Sequence, residues 1–513
     1  MNNKGQHVAK TAAMIAAFTL ISKGLGFIRE VLIASRFGSG METDTYFVAM
    51  TATVIIVGTI GSALNTTLIP IFSEIEEKRG KNGKLKYLNN ILNIVFFITL
   101  ILSIFAFVFS PIIIKILAKG FEGEQFLLAV KLNRIGLPII IFLGFTHVFS
   151  GYLQSAQIFG PHAIMGIPYN FVFLVYLFFF AKNSDISSLM FVSVLASFTQ
   201  VLIQTPAVKH SGYSYSLNVN FKDPYIKKAF ALVMPVLVGS AVQQINVIID
   251  KTLASDLIEG SISALSYASR VNDMVISVFV AAITTVVFPM LSKAFSKDNK
   301  NEVKHILNQG INIILIITVP ATVGLILLSK PLIQLFFESG AFSPNATIMT
   351  SEALVFYSLG LVGSALRLML NKVFYSFQDT KTPMTNGVIA VLLNVVLNLI
   401  LIKPMGHKGL ALATSISATI TTLLLFVDLR KKVGHLGYSK MLYALIKTVV
   451  ASAIMGVVVY LLYYKAGVLL PQTKIIQMIM LLASVAAGVV VYFMLLLLMK
   501  VDEVRVILSK VMK

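Results

Sequence analysis

The sequence predicts an all-α polytopic membrane protein. It should hold about 14 transmembrane helices, in two six-helix lobes related by a pseudo-two-fold axis along the membrane normal, plus two C-terminal helices. Three observations predict this. Only 12% of the 513 residues are charged, half of the roughly 25% usual in soluble domains. Apolar runs of about 20 residues, long enough to cross ~30 Å of hydrocarbon, recur along the whole chain. The chain also repeats itself at a nearly constant offset.

The spans fall near 11–36, 43–72, 89–117, 126–152, 160–181, 186–208, 227–252, 262–291, 306–329, 347–377, 383–402, 408–429, 441–464 and 474–499. The first carries Lys23 and Arg29 inside its apolar run, so it reads as a retained span rather than a cleaved signal. Basic residues gather after even-numbered spans: Lys78, Arg79, Lys81, Lys84 and Lys86 after the second, Lys209, Lys222, Lys227 and Lys228 after the sixth. Lys293, Lys297, Lys300 and Lys304 follow the eighth, Arg430, Lys431, Lys432 and Lys440 the twelfth. Lys500, Arg505, Lys510 and Lys513 form the tail. By the positive-inside rule both termini are cytoplasmic.

The repeat pairs Leu68-Ile69-Pro70-Ile71-Phe72-Ser73 with Val287-Phe288-Pro289-Met290-Leu291-Ser292, and Ile91-Leu92-Asn93 with Ile306-Leu307-Asn308. Ser110-Pro111 returns as Ser329-Lys330-Pro331, and Phe159-Gly160-Pro161 stands where Lys381-Thr382-Pro383 stands later. An even number of spans per copy gives both the same orientation, with a substrate site expected between them near the midplane. The lobes are then 1–218 and 219–440, with 441–513 holding the last two helices and a cytoplasmic tail.

The chain has no cysteine, which excludes disulfides, thiolate catalysis and cysteine-bound metals. With no tryptophan, interfacial anchoring falls to Tyr, Lys and Arg. The net charge of +20 is accounted for by basic loops facing anionic lipid, without nucleic acid. No HExxH, P-loop, Gly-x-Ser-x-Gly or dinucleotide fingerprint occurs, so the chain reads as no enzyme, without a cofactor or metal site.

What the loops leave unexplained is charge within the spans. Lys23, Arg29 and Glu30 lie on a segment weakened by Gly24 and Gly26, and each charge in hydrocarbon costs at least ~2.5–3.5 kcal/mol. Lys23 and Arg29 face differently on an ideal helix, and the glycines would have to bend it to bring both into one anion-binding cavity. Snorkelling of Arg29 and Glu30 to the headgroups is the alternative. In the second copy Arg270 and Asp273 are spaced to form an intrahelical pair, or to turn Arg270 into the cleft, where its planar fork suits phosphate. Asp44 opens the second span in a capping pattern, with a place in the cleft as the second reading. His147 reads as a hydrogen-bonded helix contact or a proton relay.

These residues resemble a known family. Gly24-Leu25-Gly26-Phe27-Ile28-Arg29-Glu30-Val31-Leu32-Ile33-Ala34, Phe37-Gly38 and Thr43-Asp44-Thr45-Tyr46-Phe47-Val48-Ala49 are similar to the N-terminal signature of the MurJ (MviN) lipid II flippases, of the multidrug/oligosaccharidyl-lipid/polysaccharide exporter superfamily. Tyr267-Ala268-Ser269-Arg270 and Phe377-Gln378-Asp379-Thr380-Lys381-Thr382-Pro383 match further. The resemblance implies a cationic cavity of alternating access, holding the head of an undecaprenyl-pyrophosphate precursor, with a tail groove at 441–499. It carries Arg29 and Arg270 over as cavity arginines. Lys23 stands where an arginine is usual, and Glu30 replaces the usual aspartate. The family's second helix often carries a proline–asparagine–dileucine–diarginine run with a cavity arginine, then a glutamate. Here the chain reads Ala52-Thr53-Val54-Ile55-Ile56-Val57, and 58–64 holds no acid.

The expected function is therefore translocation of lipid II from the cytoplasmic to the outer leaflet of a bacterial plasma membrane. Lys23, Arg29, Glu30, Asp44, Arg270 and Asp273 would bind the substrate. Lipid II or a related glycan and membrane lipids are the expected partners, with cell-wall synthesis enzymes as further ones; a coupling ion is left open. The alternatives are a flippase for another polyprenyl-linked oligosaccharide, a cation-coupled multidrug exporter of the same superfamily, or a scaffold that does not transport.

Overall fold

A computed structural model describes residues 3–183, 185–297, 299–434, 438–467, 471, 473–501 and 503–504. The basic tail residues Arg505, Lys510 and Lys513 lie outside them. Among the described residues there are helices and no strand. In lipid this is the form that satisfies every backbone group within one segment. Nine described helices are long and apolar enough to cross a membrane, or ten if the bent pair Pro344–Leu359 and Leu361–Ser376 is one span. The chain is thus a multi-pass membrane protein of the predicted fold class.

The chain divides into two compact units, Met1–Ser263 with Gly340–Phe342, and Ala264–Ser339 with Ser343–Lys513. The first holds α1 (Asn3–Phe37), α2 (Met41–Val108), α3 (Ser110–Leu117), α4 (Gly123–Gly136), α5 (Pro138–Ser155), α6 (Gly160–Ile164), α7 (Gly166–Phe179), α8 (Ile186–His210) and α9 (Pro224–Ser255). The second holds most of α10 (Ser261–Val275), then α11 (Ala281–Ser296), α12 (Lys300–Leu327), α13 (Ser329–Phe336), α14 (Pro344–Leu359), α15 (Leu361–Ser376), α16 (Lys381–Met405), α17 (His407–Val433), α18 (Tyr438–Tyr460) and α19 (Lys474–Leu498). A π-helical turn, Ile276–Val280, separates α10 from α11.

In α2 the predicted second and third spans run on through the basic connection. Only Gly80, at φ 66°, breaks the helical geometry, a conformation that glycine adopts without steric cost. The first unit is closed by Phe72, which meets Tyr87 and Tyr152 edge-on at 5.4 and 5.5 Å, an arrangement worth roughly 0.5–1.5 kcal/mol beyond burial. In the second unit α18 and α19 pack on α12: buried Met455 and Leu496 surround Tyr492, whose hydroxyl donates to Ile316 O at 2.7 Å. Many side chains of α19, such as Leu482, Val490 and Leu498, remain exposed, as a lipid-facing helix requires.

α9 belongs with the first unit, although 219–440 is one lobe on the sequence. It is held by its C-terminal turn: Thr252 Oγ1 donates to Ile116 O at 2.7 Å, and Gly120 N to Ser255 Oγ at 3.1 Å. A β-carbon at Gly120 would lie 2.2 Å from Ser255 O. The same crossing occurs at the end of α1. Ala341 N donates to Ser35 O at 2.8 Å, and a β-carbon at Gly340 would lie 2.2 Å from Ser35 O. Both members of each crossing are shifted by 220 residues, the offset of the sequence repeat. Gly340 also has φ +60°, unlike Gly120. Gly120→Ala should therefore lower stability by about 1–3 kcal/mol through overpacking. Gly340→Ala should cost roughly 1–2 kcal/mol more, for a left-handed residue with a side chain. Thermal unfolding of the two variants in detergent checks the order.

Candidate functional site

α1 runs as one helix from Asn3 to Phe37, so the glycines do not break it as the sequence suggested. Gly26 instead admits a neighbour: a β-carbon there would already touch Asn170 Oδ1 at 3.7 Å. On the facing helix, a β-carbon at Gly166 would stand 2.0 Å from Ser22 Oγ. Small residues on both sides bring α1 and α7 close, as in membrane helix pairs generally.

That approach fixes Asn170. Its amide donates to Ser22 O at 3.1 Å and to Gly166 O at 2.8 Å, which turns Oδ1 toward Arg29. Arg29 Nη1 donates to Asn170 Oδ1 at 3.0 Å, and Nη2 pairs with Glu30 Oε1 at 2.6 Å. The guanidinium carbon lies 5.4 Å from the Tyr169 ring centre and 5.1 Å from that of Phe173, within reach of cation–π attraction. The Arg29 side chain is 17% exposed, and Glu30 is buried. Two of the five guanidinium N–H donors are used in these bonds. The site is therefore an oriented fork, braced by a carboxylate and an amide, a donor geometry that suits an oxyanion.

Lys23, on the same helix, is exposed, in keeping with the differing faces read from the spacing. Arg270 and Asp273 are exposed on α10, whose other side buries Tyr267 against Phe337, ring centres 5.3 Å apart. The structure thus brings Arg29 and Glu30 together in the first unit; Arg270 and Asp273 lie on the second.

Asp44 is a cap, but for a different turn from the one expected. Its own helix opens with Thr43, whose Oγ1 accepts from Gly40 N at 2.9 Å. Asp44 is 3% exposed and reaches the turn before α10. Oδ2 accepts from Gly260 N at 2.8 Å; Oδ1 accepts from Ser263 N at 2.6 Å and Ser263 Oγ at 2.5 Å. Ser39 Oγ adds a bond to Ser263 Oγ at 2.9 Å, and Met41 N donates to Glu259 Oε1 at 2.7 Å. A carboxylate at a helix N-terminus satisfies orphan N–H groups and is favoured by the helix dipole. Nothing near Asp44 in sequence announces a partner more than two hundred residues away.

His147 is a helix contact. Its Nδ1 lies 3.0 Å from Asn65 Nδ2, and the ring packs on Gly61, where a β-carbon would lie 2.0 Å from Nε2. Asn170, Tyr169 and Phe173 were not singled out on the sequence. The available signal was a lone amide in the apolar run of α7, since a polar residue there needs a partner.

Three comparisons bear on this arrangement. The family model described as lipid II flippase MurJ matches residues 33–497. A probable lipid II flippase MurJ of Rhizobium tropici is 30% identical over 465 residues, covering 88% of this chain and 87% of that protein. A solved lipid II flippase MurJ, in an inward closed conformation, superimposes with a TM-score of 0.78 at 27% identity, covering 94% of this chain and 98% of that one. A multidrug resistance MATE family transporter of the MOP superfamily, in an inward-facing conformation, gives 0.69 at 13% identity, over 83% of this chain and 98% of that one, a likeness of fold alone.

Proposed function

The chain belongs to the lipid II flippase MurJ family, and from that premise we propose how its residues carry lipid II across a bacterial plasma membrane with both termini in the cytoplasm. The observation that carries the reading of its activity is the family match across residues 33–497. A multidrug exporter of this architecture would want carboxylates for cationic cargo, whereas the charges here are mainly cationic.

The physical task is to move a pyrophosphate head through ~30 Å of hydrocarbon. Arg29 replaces part of the lost hydration. Its fork is held by Asn170 and Glu30 before substrate arrives, so little side-chain freedom is spent on binding. Glu30 orients the fork and offsets part of its charge, which keeps the anion from being held too tightly to leave. Lys23 and Arg270 supply further cations, the first as a flexible point charge, the second as a planar fork. The lipid tail stays in the bilayer.

Asp44 acts as a clasp, not as a substrate ligand. It sits where the first span ends and the second begins, the outer end by the positive-inside argument. Releasing Gly260 and Ser263 would open that end; remaking the bonds would shut it. Energy enters through a coupling ion or the membrane potential, worth ~2.3 kcal/mol per charge per 100 mV. Cell-wall synthesis enzymes are the downstream partners. The chain performs no covalent chemistry.

Complementation tests the reading. In bacteria depleted of their own lipid II flippase, the parent chain restores growth and Arg270→Ala restores it poorly at equal membrane levels. Failure of the parent would remove lipid II as substrate.

A further inference from the structure

Between α8 and α9 the chain runs extended from Tyr213 to Asn220, without a strand beside it. Its backbone groups still need partners. Three asparagines at the start of the third span provide them. Asn89 donates to Ser214 O at 2.8 Å and accepts from Ser216 N at 2.9 Å. Asn90 does both with Asn220, at 3.0 and 2.7 Å. Asn93 donates to Ser216 O at 2.9 Å and Asn218 O at 3.0 Å. Asn89 and Asn90, each with donor and acceptor on one group, stand in for a neighbouring strand, while the Asn93 oxygen accepts from the Tyr215 hydroxyl at 2.9 Å.

The ribbon's composition alternates. Ser214, Ser216, Asn218 and Asn220 interleave with Tyr215, Leu217, Val219 and Phe221; the three apolar side chains after Tyr215 are all exposed, Leu217 by 73% and Phe221 by 53%. An exposed apolar row on an extended chain invites association. The ribbon also sits among the basic residues that mark the cytoplasmic face. Beside its C-terminal half lies a cleft of about 390 Å³, lined by Arg79, Lys86, Asn90, Asn218, Asn220 and Asp223, among others. Arg79 lies 4.7 Å from the Tyr225 ring centre and 3.7 Å from Asp223 Oδ2. Asp223 is itself engaged in capping α9, accepting from Tyr225 N at 2.9 Å. Two cations and several amides thus line a cleft with one carboxylate already occupied, next to an apolar row.

We infer that this cleft and ribbon form a docking site for an anionic phospholipid of the cytoplasmic leaflet. Its phosphate would lie between Arg79 and Lys86, and its acyl region against Leu217, Val219 and Phe221. The inference rests on the orientation proposed above and is separate from the substrate site. Charge complementarity selects the headgroup, since a polybasic surface attracts anionic lipid at ~1 kcal/mol per cation. The apolar row selects a lipid over a free phosphate, which would have no use for it. It would also add to the interfacial anchoring that Tyr, Lys and Arg provide in a chain without tryptophan.

The test uses the purified full-length protein with phosphatidylglycerol, phosphatidylcholine or inorganic phosphate, and native mass spectrometry to count bound lipid. Phosphatidylglycerol should bind in preference to phosphatidylcholine. Arg79→Gln with Lys86→Gln should weaken it by roughly tenfold or more while leaving phosphatidylcholine unchanged. Leu217→Ser with Phe221→Ser, both exposed and so harmless to folding, should weaken it by about fivefold or more. Equal binding of the two lipids, or no effect of either double variant, overturns the site. Displacement by millimolar inorganic phosphate overturns the lipid as occupant. Because the chain has no cysteine, Leu217→Cys can be labelled alone. Labelling by an impermeant maleimide from outside the cell overturns the orientation and the assigned leaflet together. Labelling only in inverted vesicles, combined with no lipid preference, overturns the site alone.

Discussion

Arg29→Ala should abolish rescue of a lipid II flippase depletion, while Arg29→Lys restores it in part. The alanine variant removes the fork, and it also leaves Glu30 buried without this cation. Breaking one side of a buried pair costs about 3–5 kcal/mol, so lost growth by itself could reflect lost fold. A second variant separates the two. Arg29→Ala with Glu30→Gln removes both charges, and deleting both partners of a buried interaction is far less costly than deleting one. The double variant should regain most of the parent's thermal stability in detergent yet still fail to flip lipid II in reconstituted vesicles. Lysine keeps the charge but cannot fork between Asn170 and Glu30, hence partial function. If the double variant transports normally, Arg29 is a packing residue and the proposed anion site is wrong.

The second large effect is expected at the clasp proposed for Asp44. With no native cysteine, Ser39→Cys with Ser263→Cys can form one disulfide only. The two hydroxyl oxygens are 2.9 Å apart, so the side chains already meet. Under oxidising conditions transport by this variant should stop, and a reductant should restore it; reconstituted flipping with and without reductant reads the result. Asp44→Ala should act in the opposite sense. It removes an acceptor of three hydrogen bonds, each worth about 1.5–3 kcal/mol when charged. That weakens the clasp, so cysteines at 39 and 263 should cross-link more slowly in its background. Undiminished transport by the oxidised protein would show that this end does not open.

Much of the fold was legible in the sequence because hydropathy is a local property. A run of apolar residues makes a helix in lipid wherever it sits, and the predicted stretches lie on helices. The grouping of helices into compact units is not a local property. α9 reads as the start of a second lobe, but Thr252 and Ser255 tie it to α3 and the turn after it, and no sequence pattern encodes that pairing. For the site, Arg29 and Glu30 stood out because charge in an apolar run is costly. Asn170 did not, because one amide is cheap to place and its importance comes from what α1 brings against it. Asp44 announced its chemistry, a cap, but not its client. The bend expected from Gly24 and Gly26 failed for a related reason: glycine permits curvature and close packing alike, and only the neighbour decides between them.

The crossings at Gly120 and Gly340 carry a genealogical consequence. Ser35 meets the glycine turn of the later copy, and its counterpart Ser255 meets that of the earlier copy. One serine-to-glycine contact therefore stands twice in the chain, 220 residues apart, as the duplication of a shorter segment would leave it.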